Sequence, residues 1–199
     1  MEILKESLSG KFEPVFNVVT RLIKLENQGI VKRYIVQHKP CVSILVYDPT
    51  TDLFYLGYEY RSGVNEYRYG NPAGFIDDGE TPIESAKREL REELGLISDK
   101  LTFITTLSSS EGFTDEEVHL FYAEGPFEVT ETEFDEEEYI QLNTLLSNEL
   151  SELVVKNKIK SAPTMLGYYW WLNNIKKGKW YYKHWQCKVN MIYYNSSKI

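Results

Sequence analysis

The sequence has 199 residues, 42% of them hydrophobic, and a formal net charge of −8 at pH 7. Nonspecific nucleic-acid binding depends on Lys and Arg neutralising phosphates, so this acidic balance argues against a nucleic-acid partner. No linker rich in Pro, Gly or Ser interrupts the chain, which predicts one domain over 1–199 with enough chain to bury a sizeable core.

The first part of the chain is predicted to form antiparallel strands. Its opening residues, MEILKESLSGKFE, lack an apolar run, and no later run is as long as a membrane span. We therefore expect a cytoplasmic protein with no membrane partner, whose two cysteines, Cys41 and Cys187, are reduced. Two hairpins, turning at ENQG and DPTTD, account for the predicted strands Phe16–Leu25, Ile30–His38, Cys41–Tyr47 and Leu53–Arg61.

A helix is predicted over Pro82–Leu94 by the signals at both of its ends. Thr81 is a suitable N-cap, Pro82 suits the first helical position, and Glu84 completes a capping box with Thr81. Gly95 follows the last predicted helical residue, where glycine commonly ends a helix.

Three glutamates of this helix, Glu89, Glu92 and Glu93, share an arc of about 100°. Glu89 and Glu93 form a like-charge pair that costs an isolated helix about 0.2–0.5 kcal/mol, and Arg88 can neutralise only part of the cluster. Because no His or Cys lies nearby, a metal held here would be a hard cation such as Mg²⁺, Mn²⁺ or Ca²⁺. On composition alone, a solvated acidic helix face is the simpler interpretation.

The surrounding stretch, GFIDDGETPIESAKRELREELGL, resembles the Nudix box. The resemblance runs through Gly74, then Glu80 after five intervening residues, and then RELREELGL, which begins at Arg88 after seven more intervening residues. It implies a loop–helix–loop that binds divalent cations, Mg²⁺ or alternatively Mn²⁺, and hydrolyses a nucleoside diphosphate linked to another moiety. It also implies roles for individual residues, with Arg88 and Glu80 orienting the metal ligands, which are Glu89, Glu93, Glu92 (directly or through water) and the backbone carbonyl of Ala73.

After the box, three predicted strands are followed by two predicted helices. The predicted strands are Leu101–Leu107, Glu117–Ala123 and Tyr139–Leu145, and the predicted helices are Ser147–Lys156 and Pro163–Lys176. Strands and helices mixed in one domain predict an α/β (α+β) class. The Nudix resemblance implies a mixed β-sheet sandwiched between helices, with N-terminal antiparallel strands.

Matches outside the box narrow the resemblance to the ADP-ribose pyrophosphatase branch. They include EYR ending at Arg61, NPAGFID beginning at Asn71 and SSEGFTDEEVHLF beginning at Ser109. The branch implies a small-molecule substrate, ADP-ribose, that is split into AMP and ribose 5-phosphate. It also implies a homodimer in which strands of the segment 1–40 contribute to the partner's site. The aromatic and basic C-terminal extension, 178–199, is expected to pack against the domain or a twin subunit.

The same branch suggests substrate and catalytic roles for residues outside the helix. Arg61 would bind the diphosphate, Glu116 the distal ribose hydroxyls, and Phe113 would line the sugar pocket. The general base of the branch lies on a loop beyond the box. Aligning DEEEYI by the strand that follows it selects Glu138, with Glu136 and Glu137 as alternatives. The expected catalytic residues are therefore Glu138, Glu92 and Arg88.

Two departures from the branch keep the substrate open. Gly70 and Asn71 stand where the branch has Glu-Leu, and Glu111 replaces a Pro that accompanies ADP-ribose specificity. A pyrophosphatase of the GDP-mannose or ADP-glucose type is therefore an alternative. A non-catalytic nucleotide-sugar-sensing Nudix module is another, although such modules usually lose box glutamates. An isopentenyl diphosphate isomerase would need an active-site cysteine, for which Cys41 in a packed strand is a poor candidate.

Overall fold

The computed structural model describes residues 1–12, 16–132 and 140–176. The chain separates into two compact units, Met1–Gly167 and Tyr168–Ile199. The first unit carries the three described sheets, the smallest of which has only two strands, and all of the predicted site residues that are described. The second is described only through residue 176, where it completes the last helix, so the expectations for the extension 178–199 and for Cys187 lie outside the described residues.

The N-terminal strands form an antiparallel sheet in the order β1–β2–β3. Its strands are β1 (Glu2–Phe12), β2 (Phe16–Lys24) and β3 (Ile30–His38). The β2–β3 hairpin confirms the prediction, since its register runs from Phe16 opposite His38 to Lys24 opposite Ile30. β1 was not predicted from the sequence, and nearly all of its residues are exposed.

A mixed sheet forms the centre of the first unit. The elements that follow β3 are β4 (Cys41–Asp48), β5 (Leu53–Arg61), β6 (Glu66–Gly70), β7 (Ala73–Phe75), α1 (Pro82–Leu94), β8 (Leu96–Ile97), β9 (Leu101–Ser108), β10 (Glu117–Glu124), β11 (Glu128–Val129), β12 (Gln141–Leu146), α2 (Ser147–Val155) and α3 (Ala162–Asn174). Within the described residues, the sheet has the order β12–β5–β4–β10–β9, with β6 on β5 and β7 on β4. β10 runs parallel to β4, whereas the other pairs are antiparallel. β8 and β11 pair separately as the smallest of the described sheets.

The hydrophobic core holds α1 against one face of this sheet. Ala86, Leu90 and Leu94 of α1 pack with alternate residues of β4, including Val42 and Ile44. All eight residues of β4 are buried or half-buried, so the strand packs on both of its faces. Fully burying a Leu or Ile side chain contributes about 1.5–3 kcal/mol, which makes this contact a major constraint on where α1 lies.

The opposite face of β4 meets a second helix. A Cβ placed on Gly167 of α3 would lie 3.2 Å from Cβ of Leu45, so the helix backbone closely approaches the strand. Within the first unit, α1 and the part of α3 that ends at Gly167 therefore lie on opposite faces of β4, in agreement with the predicted sheet between helices. None of the helices in the described residues is long and apolar enough to span a membrane.

Candidate active site

The ends of α1 are fixed as the sequence predicted. The Glu84 amide donates to Thr81 Oγ1 (3.4 Å), and the Thr81 amide donates to Glu84 Oε2 (2.8 Å), which completes the capping box. Gly95 ends the helix in the left-handed region with φ 62°. A Cβ at this position would also lie 2.5 Å from the Thr130 carbonyl oxygen, so both the backbone conformation and the close contact require glycine.

Arg88 holds three carboxylates of the acidic cluster. Its Nε and Nη2 donate to the two oxygens of Glu80 at 2.9 and 3.0 Å, a bidentate arrangement. Its Nη1 donates to Glu89 Oε1 (2.7 Å) and Glu92 Oε2 (3.0 Å). The hydrogen bonds to Glu80, with those to Glu92 and Glu89, outweigh burial and keep the pKa of Arg88 above its ordinary value. The fixed cation thus orients carboxylates that would otherwise repel one another.

The carboxylates of Glu89 and Glu93 project from α1 toward β7. The two residues are only 7% and 5% exposed. The amide of Ala73 in β7 donates to Glu93 Oε1 at 3.2 Å, so the strand before the box helix positions this carboxylate. Gly74 makes room for the other, because a Cβ placed there would overlap the Glu89 carboxylate, with Oε2 at 2.6 Å.

We expect Gly74→Ala to impair catalysis more than folding. Gly74 has no positive φ, so alanine adds no backbone strain, and the obstructing atoms are the end of a flexible side chain. Glu89 can move away, but a displacement of about 1 Å in a catalytic group can cost about 100-fold in rate. Turnover and thermal unfolding should be measured beside Gly63→Ala, where nothing lies within 4 Å of the added Cβ. Equal activity in the two variants would contradict a role for the Glu89 position.

A cavity of about 570 Å³ opens beside this cluster. The predicted site residues that line it are Arg61, Ala73, Arg88, Glu89, Glu92 and Glu116. These residues come from β5, β7, α1 and the segment before β10, so the sheet brings together positions that are up to 55 residues apart in the chain. Arg61 pairs with Glu59 at the end of β5, and its side chain is 49% exposed.

Glu116 also lines the cavity, and it comes from the segment just before β10, outside the box. His38 Nδ1 lies 3.6 Å from Glu116 Oε1, and the Cys41 thiol donates to the same oxygen at 3.8 Å. Burial first, and then the charge of Glu116, raise the pKa of Cys41 to about 12. Cys41 is therefore a neutral thiol near pH 7, which disfavours the isomerase alternative because thiolate chemistry would need a lowered pKa.

Some predicted residues do not reach the cavity. Within the described part of the chain, Phe113 is 54% exposed and does not line it, although its carbonyl fixes the loop by accepting from the Val36 amide at 2.7 Å. Glu111 is likewise exposed and is not a lining residue. Glu93 does not line the cavity either, and its link to the lining is the hydrogen bond that its Oε1 accepts from the Ala73 amide. Glu136, Glu137 and Glu138 lie outside the described residues, so the base assignment stays a prediction.

Sequence reasoning missed a buried polar contact at the back of the cavity. Asn71 is 5% exposed, its amide N–H donates to Thr164 Oγ1 (3.0 Å), and its Nδ2 donates to Ser43 Oγ (3.2 Å). Asn71, Ser43 and Ser161 all line the cavity. The sequence marked Asn71 only as a departure from the branch, and nothing in the spacing connects it to residues 28 and 93 positions away.

The donor set fits a hard divalent cation by its chemistry. Glu89, Glu92, Glu93 and the Ala73 carbonyl offer oxygen atoms only, the ligand type that Mg²⁺ and Mn²⁺ prefer. In the part of the chain that is described, no group of three or more His, Cys, Asp or Glu side chains is gathered in the manner of a metal cage. Arg88 Nη1 contacts both the Glu89 and the Glu92 carboxylate, at 2.7 and 3.0 Å.

Comparisons with known proteins identify the family of the chain. The ADP-ribose pyrophosphatase of Bacillus subtilis is 33% identical over 164 residues, covering 81% of this chain and 86% of the relative. The ADP-ribose pyrophosphatase of Mycobacterium tuberculosis is 35% identical over 117 residues, covering 58% of this chain and 56% of the relative. The crystal structure of an ADP compounds hydrolase shares the fold with a TM-score of 0.71 at 24% identity, covering 86% of this chain and 94% of that one. The NUDIX domain model matches residues 37–164, and the chain therefore belongs to the Nudix family.

Proposed function

We propose that this Nudix hydrolase cleaves the diphosphate of ADP-ribose to give AMP and ribose 5-phosphate. The observation that carries the proposal is that one cavity is lined by Glu89 and Glu92 of α1, by a cation, Arg61, and by a further carboxylate, Glu116. A diphosphate needs positive charge, whereas ribose hydroxyls need acceptors, and the cavity offers both. The pyrophosphatase relatives from Bacillus subtilis and Mycobacterium tuberculosis support the same substrate.

A divalent cation is the expected cofactor, as is general for Nudix hydrolases. We propose Mg²⁺, with Mn²⁺ as the alternative, held by Glu89, Glu93, Glu92 and the Ala73 carbonyl. When bound, the cation would neutralise phosphate charge and lower the pKa of the attacking water. Arg88 and Glu80 keep the glutamates oriented through the bidentate pair and the two further hydrogen bonds of Arg88. The base that takes the proton of the water is proposed to be Glu138.

The substrate is proposed to lie along the cavity from α1 to Glu116. Arg61 is paired with Glu59 and about half exposed, so it can turn to a diphosphate, which is a stronger bidentate partner. Glu116 accepts hydrogen bonds at one oxygen from Cys41, and it has further acceptor capacity for ribose hydroxyls. Phe113 remains a proposed contact to the sugar from the neighbouring loop.

The alternative is a nucleotide sugar with a hexose, such as GDP-mannose or ADP-glucose. The sequence supports it through Glu111, which takes the place of the expected Pro. Glu111 is exposed and does not line the cavity in the described residues, which removes this objection to the ribose substrate. A carboxylate turned to water neither repels the diphosphate nor selects between sugars.

We expect kcat/KM to be highest for ADP-ribose among nucleoside diphosphate derivatives. The measurement compares ADP-ribose with GDP-mannose, ADP-glucose and a dinucleoside polyphosphate at one magnesium concentration, with products separated by chromatography. Preference for a hexose-linked substrate by more than about tenfold, or about 1.4 kcal/mol, would exclude the ADP-ribose assignment and leave the Nudix reaction class intact. Absence of hydrolysis across the panel would favour the nucleotide-sugar-sensing module.

The same panel tests Glu111. Because the side chain is exposed, Glu111→Gln is expected to change the ratio of kcat/KM between ADP-ribose and GDP-mannose by less than about twofold. If Glu111 instead faces the sugar of a bound substrate, Glu111→Pro should sharpen the preference for ADP-ribose. A sharper preference in that variant would therefore contradict the position we assign to Glu111.

We also propose a homodimer, formed through the segment 1–40. Along β1, Ile3, Leu8 and Phe12 are 55%, 61% and 53% exposed, an unusual density of apolar side chains on one long strand. A second subunit would cover them. The cytoplasmic location and the absence of a nucleic-acid partner remain predictions from the sequence.

A further inference from the structure

A second cavity, of about 640 Å³, lies in the first unit between β6 and the end of α2. In the described part of the chain it shares no lining residue with the catalytic cavity. Three groups line it, namely tyrosines of β5 and β6, Arg68 of β6, and the segment that follows α2. The Nudix reaction proposed above makes no use of these residues.

The lining of this cavity is cationic, although the chain as a whole is acidic. The described lining residues include four cations, Arg68, Lys156, Lys158 and Lys160, and one carboxylate, Glu66. Glu66 lies 3.0 Å from Arg68 Nη2 and 3.7 Å from Lys160 Nζ, and their hydrogen bonds and charges lower its pKa. The lining charge is +3 in a chain whose net charge is −8, and Lys156 is also paired with Glu152 of α2 (2.8 Å). Lys158, Lys160 and Arg68 therefore supply the excess of positive charge over Glu66. Such a concentration of cations attracts an anion.

The backbone presents the lysines in a fixed arrangement. α2 ends in the paired hydrogen bonds of a Schellman motif, since the Asn157 amide donates to the Val154 carbonyl (3.0 Å) and the Lys158 amide to the Leu153 carbonyl (2.8 Å). Asn157 adopts the left-handed conformation that this motif needs, with φ 56°. Compensation of the helix dipole accounts for a cation at the last turn, such as Lys156, but its effect fades within one turn. It does not account for Lys160 or for Arg68 on a separate strand.

Aromatic rings lie beside these cations. Tyr58 is stacked on Tyr67 with ring centroids 5.6 Å apart, and its ring lies 4.6 Å from that of Tyr69. All three tyrosines line the cavity, and Tyr67 is 54% exposed. An exposed tyrosine ring next to cations provides the two features by which proteins bind nucleotides, a stacking surface for the base and positive charge for the phosphate.

We propose that this second cavity binds a nucleoside monophosphate, with its phosphate on Lys158, Lys160 and Arg68 and its base on Tyr67. The size of the cavity supports a single nucleotide, because small-molecule sites usually have volumes of about 300–1,000 Å³. The overall charge of −8 opposes the approach of a long polyanion, which separates this proposal from RNA binding. The site is independent of the reaction proposed for the catalytic cavity.

The test is calorimetric titration of the full-length protein with AMP in the presence of EDTA. We expect Lys158→Gln/Lys160→Gln to weaken AMP binding by about tenfold or more, because two charge-assisted contacts are lost. Tyr67→Ala should weaken AMP binding by about fivefold or more while leaving the affinity for inorganic phosphate unchanged. Hydrolysis of ADP-ribose and the midpoint of thermal unfolding should stay near their wild-type values in each variant, since these residues lie outside the catalytic cavity.

The matched control is Lys87→Gln/Lys100→Gln, which removes two exposed lysines that line neither cavity and should leave AMP binding unchanged. AMP binding that survives at full strength in Lys158→Gln/Lys160→Gln, or that falls equally in the control, would overturn the proposal. Equal affinities for inorganic phosphate and AMP would overturn the nucleotide assignment, as would a single-stranded RNA hexamer that binds more than about tenfold tighter than AMP.

Discussion

Replacing Glu93 by glutamine is expected to abolish most of the hydrolysis while leaving the fold intact. Glutamine keeps the shape of the side chain and an oxygen that can accept from the Ala73 amide, so the contact between β7 and α1 survives. It removes one negative charge from a carboxylate that is proposed to hold the divalent cation. Losing about 3–4 kcal/mol of transition-state stabilisation corresponds to about 10²–10³-fold in turnover.

The stability of this variant should move in the other direction. Glu89 and Glu93 are an i,i+4 like-charge pair, and removing one charge relieves about 0.2–0.5 kcal/mol of repulsion. Thermal unfolding with and without added Mg²⁺ gives a readout that does not depend on activity. We expect Mg²⁺ to raise the unfolding midpoint of the wild type and to raise that of Glu93→Gln much less, because a ligand stabilises the state that binds it.

Glu128→Gln, in exposed strand β11, is the matched loss of one carboxylate and should behave as the wild type in both measurements. If Glu93→Gln retained full turnover, the assignment of the metal ligands on α1 would be wrong, although membership of the Nudix family would stand.

The helix that carries this site could be predicted from the sequence to the residue. Its bounds, Pro82–Leu94, follow from local chemistry, because the Thr81–Glu84 capping box and the left-handed Gly95 are both interactions between near neighbours. The core strand β4 could also be predicted, because an apolar run between turn signals indicates a buried strand without knowledge of the rest of the fold. The box spacing singled out Glu89, Glu92 and Glu93, of which Glu89 and Glu92 line the cavity.

Other elements could not be predicted, for reasons that lie in long-range packing. β1 has no regular alternation of apolar and polar residues and buries neither face, so it gives no signal of a core-facing strand. It is defined by its backbone pairing with β2. β7 has only three residues and exists because Ser43 and Cys41 of β4 pair with its ends. The contact of Asn71 with Thr164 spans 93 residues and has no local signature.

The resemblance located Arg61 and Glu116 in the cavity but could not orient the side chains of Phe113 and Glu111. The sequence assigned Arg61 and Glu116 to the substrate by resemblance, and the fold places both in the cavity with the α1 glutamates. For Phe113 and Glu111, the same reasoning named a loop without its orientation, because side-chain direction in a loop depends on tertiary contacts. Val36 holds this loop through backbone bonds to Phe113 and Asp115, and no residue spacing predicts those bonds.

Glu138→Gln is expected to lower turnover by about 10²–10⁴-fold with little change in KM. The reason is that a general base interacts with its proton mainly in the transition state, so its loss affects kcat rather than substrate binding. Glu138 immediately precedes the segment that leads into β12, and β12 begins at Gln141 opposite Tyr58 of β5, the strand that ends at Arg61 in the cavity. That alignment by the following strand is what selects Glu138 over its neighbours.

The acidic run itself supplies the controls. Glu136→Gln and Glu137→Gln remove the same charge from adjacent positions, so they separate a specific proton transfer from a general loss of negative charge. Both should retain turnover within about threefold of the wild type, and both should keep the acidic limb of the pH–rate profile, which Glu138→Gln should lose. If Glu136→Gln or Glu137→Gln shows the large loss and Glu138→Gln does not, the base lies at that neighbouring position. A loss shared equally by all three would mean that the run acts through its total charge, because only a positioned base depends on one carboxylate.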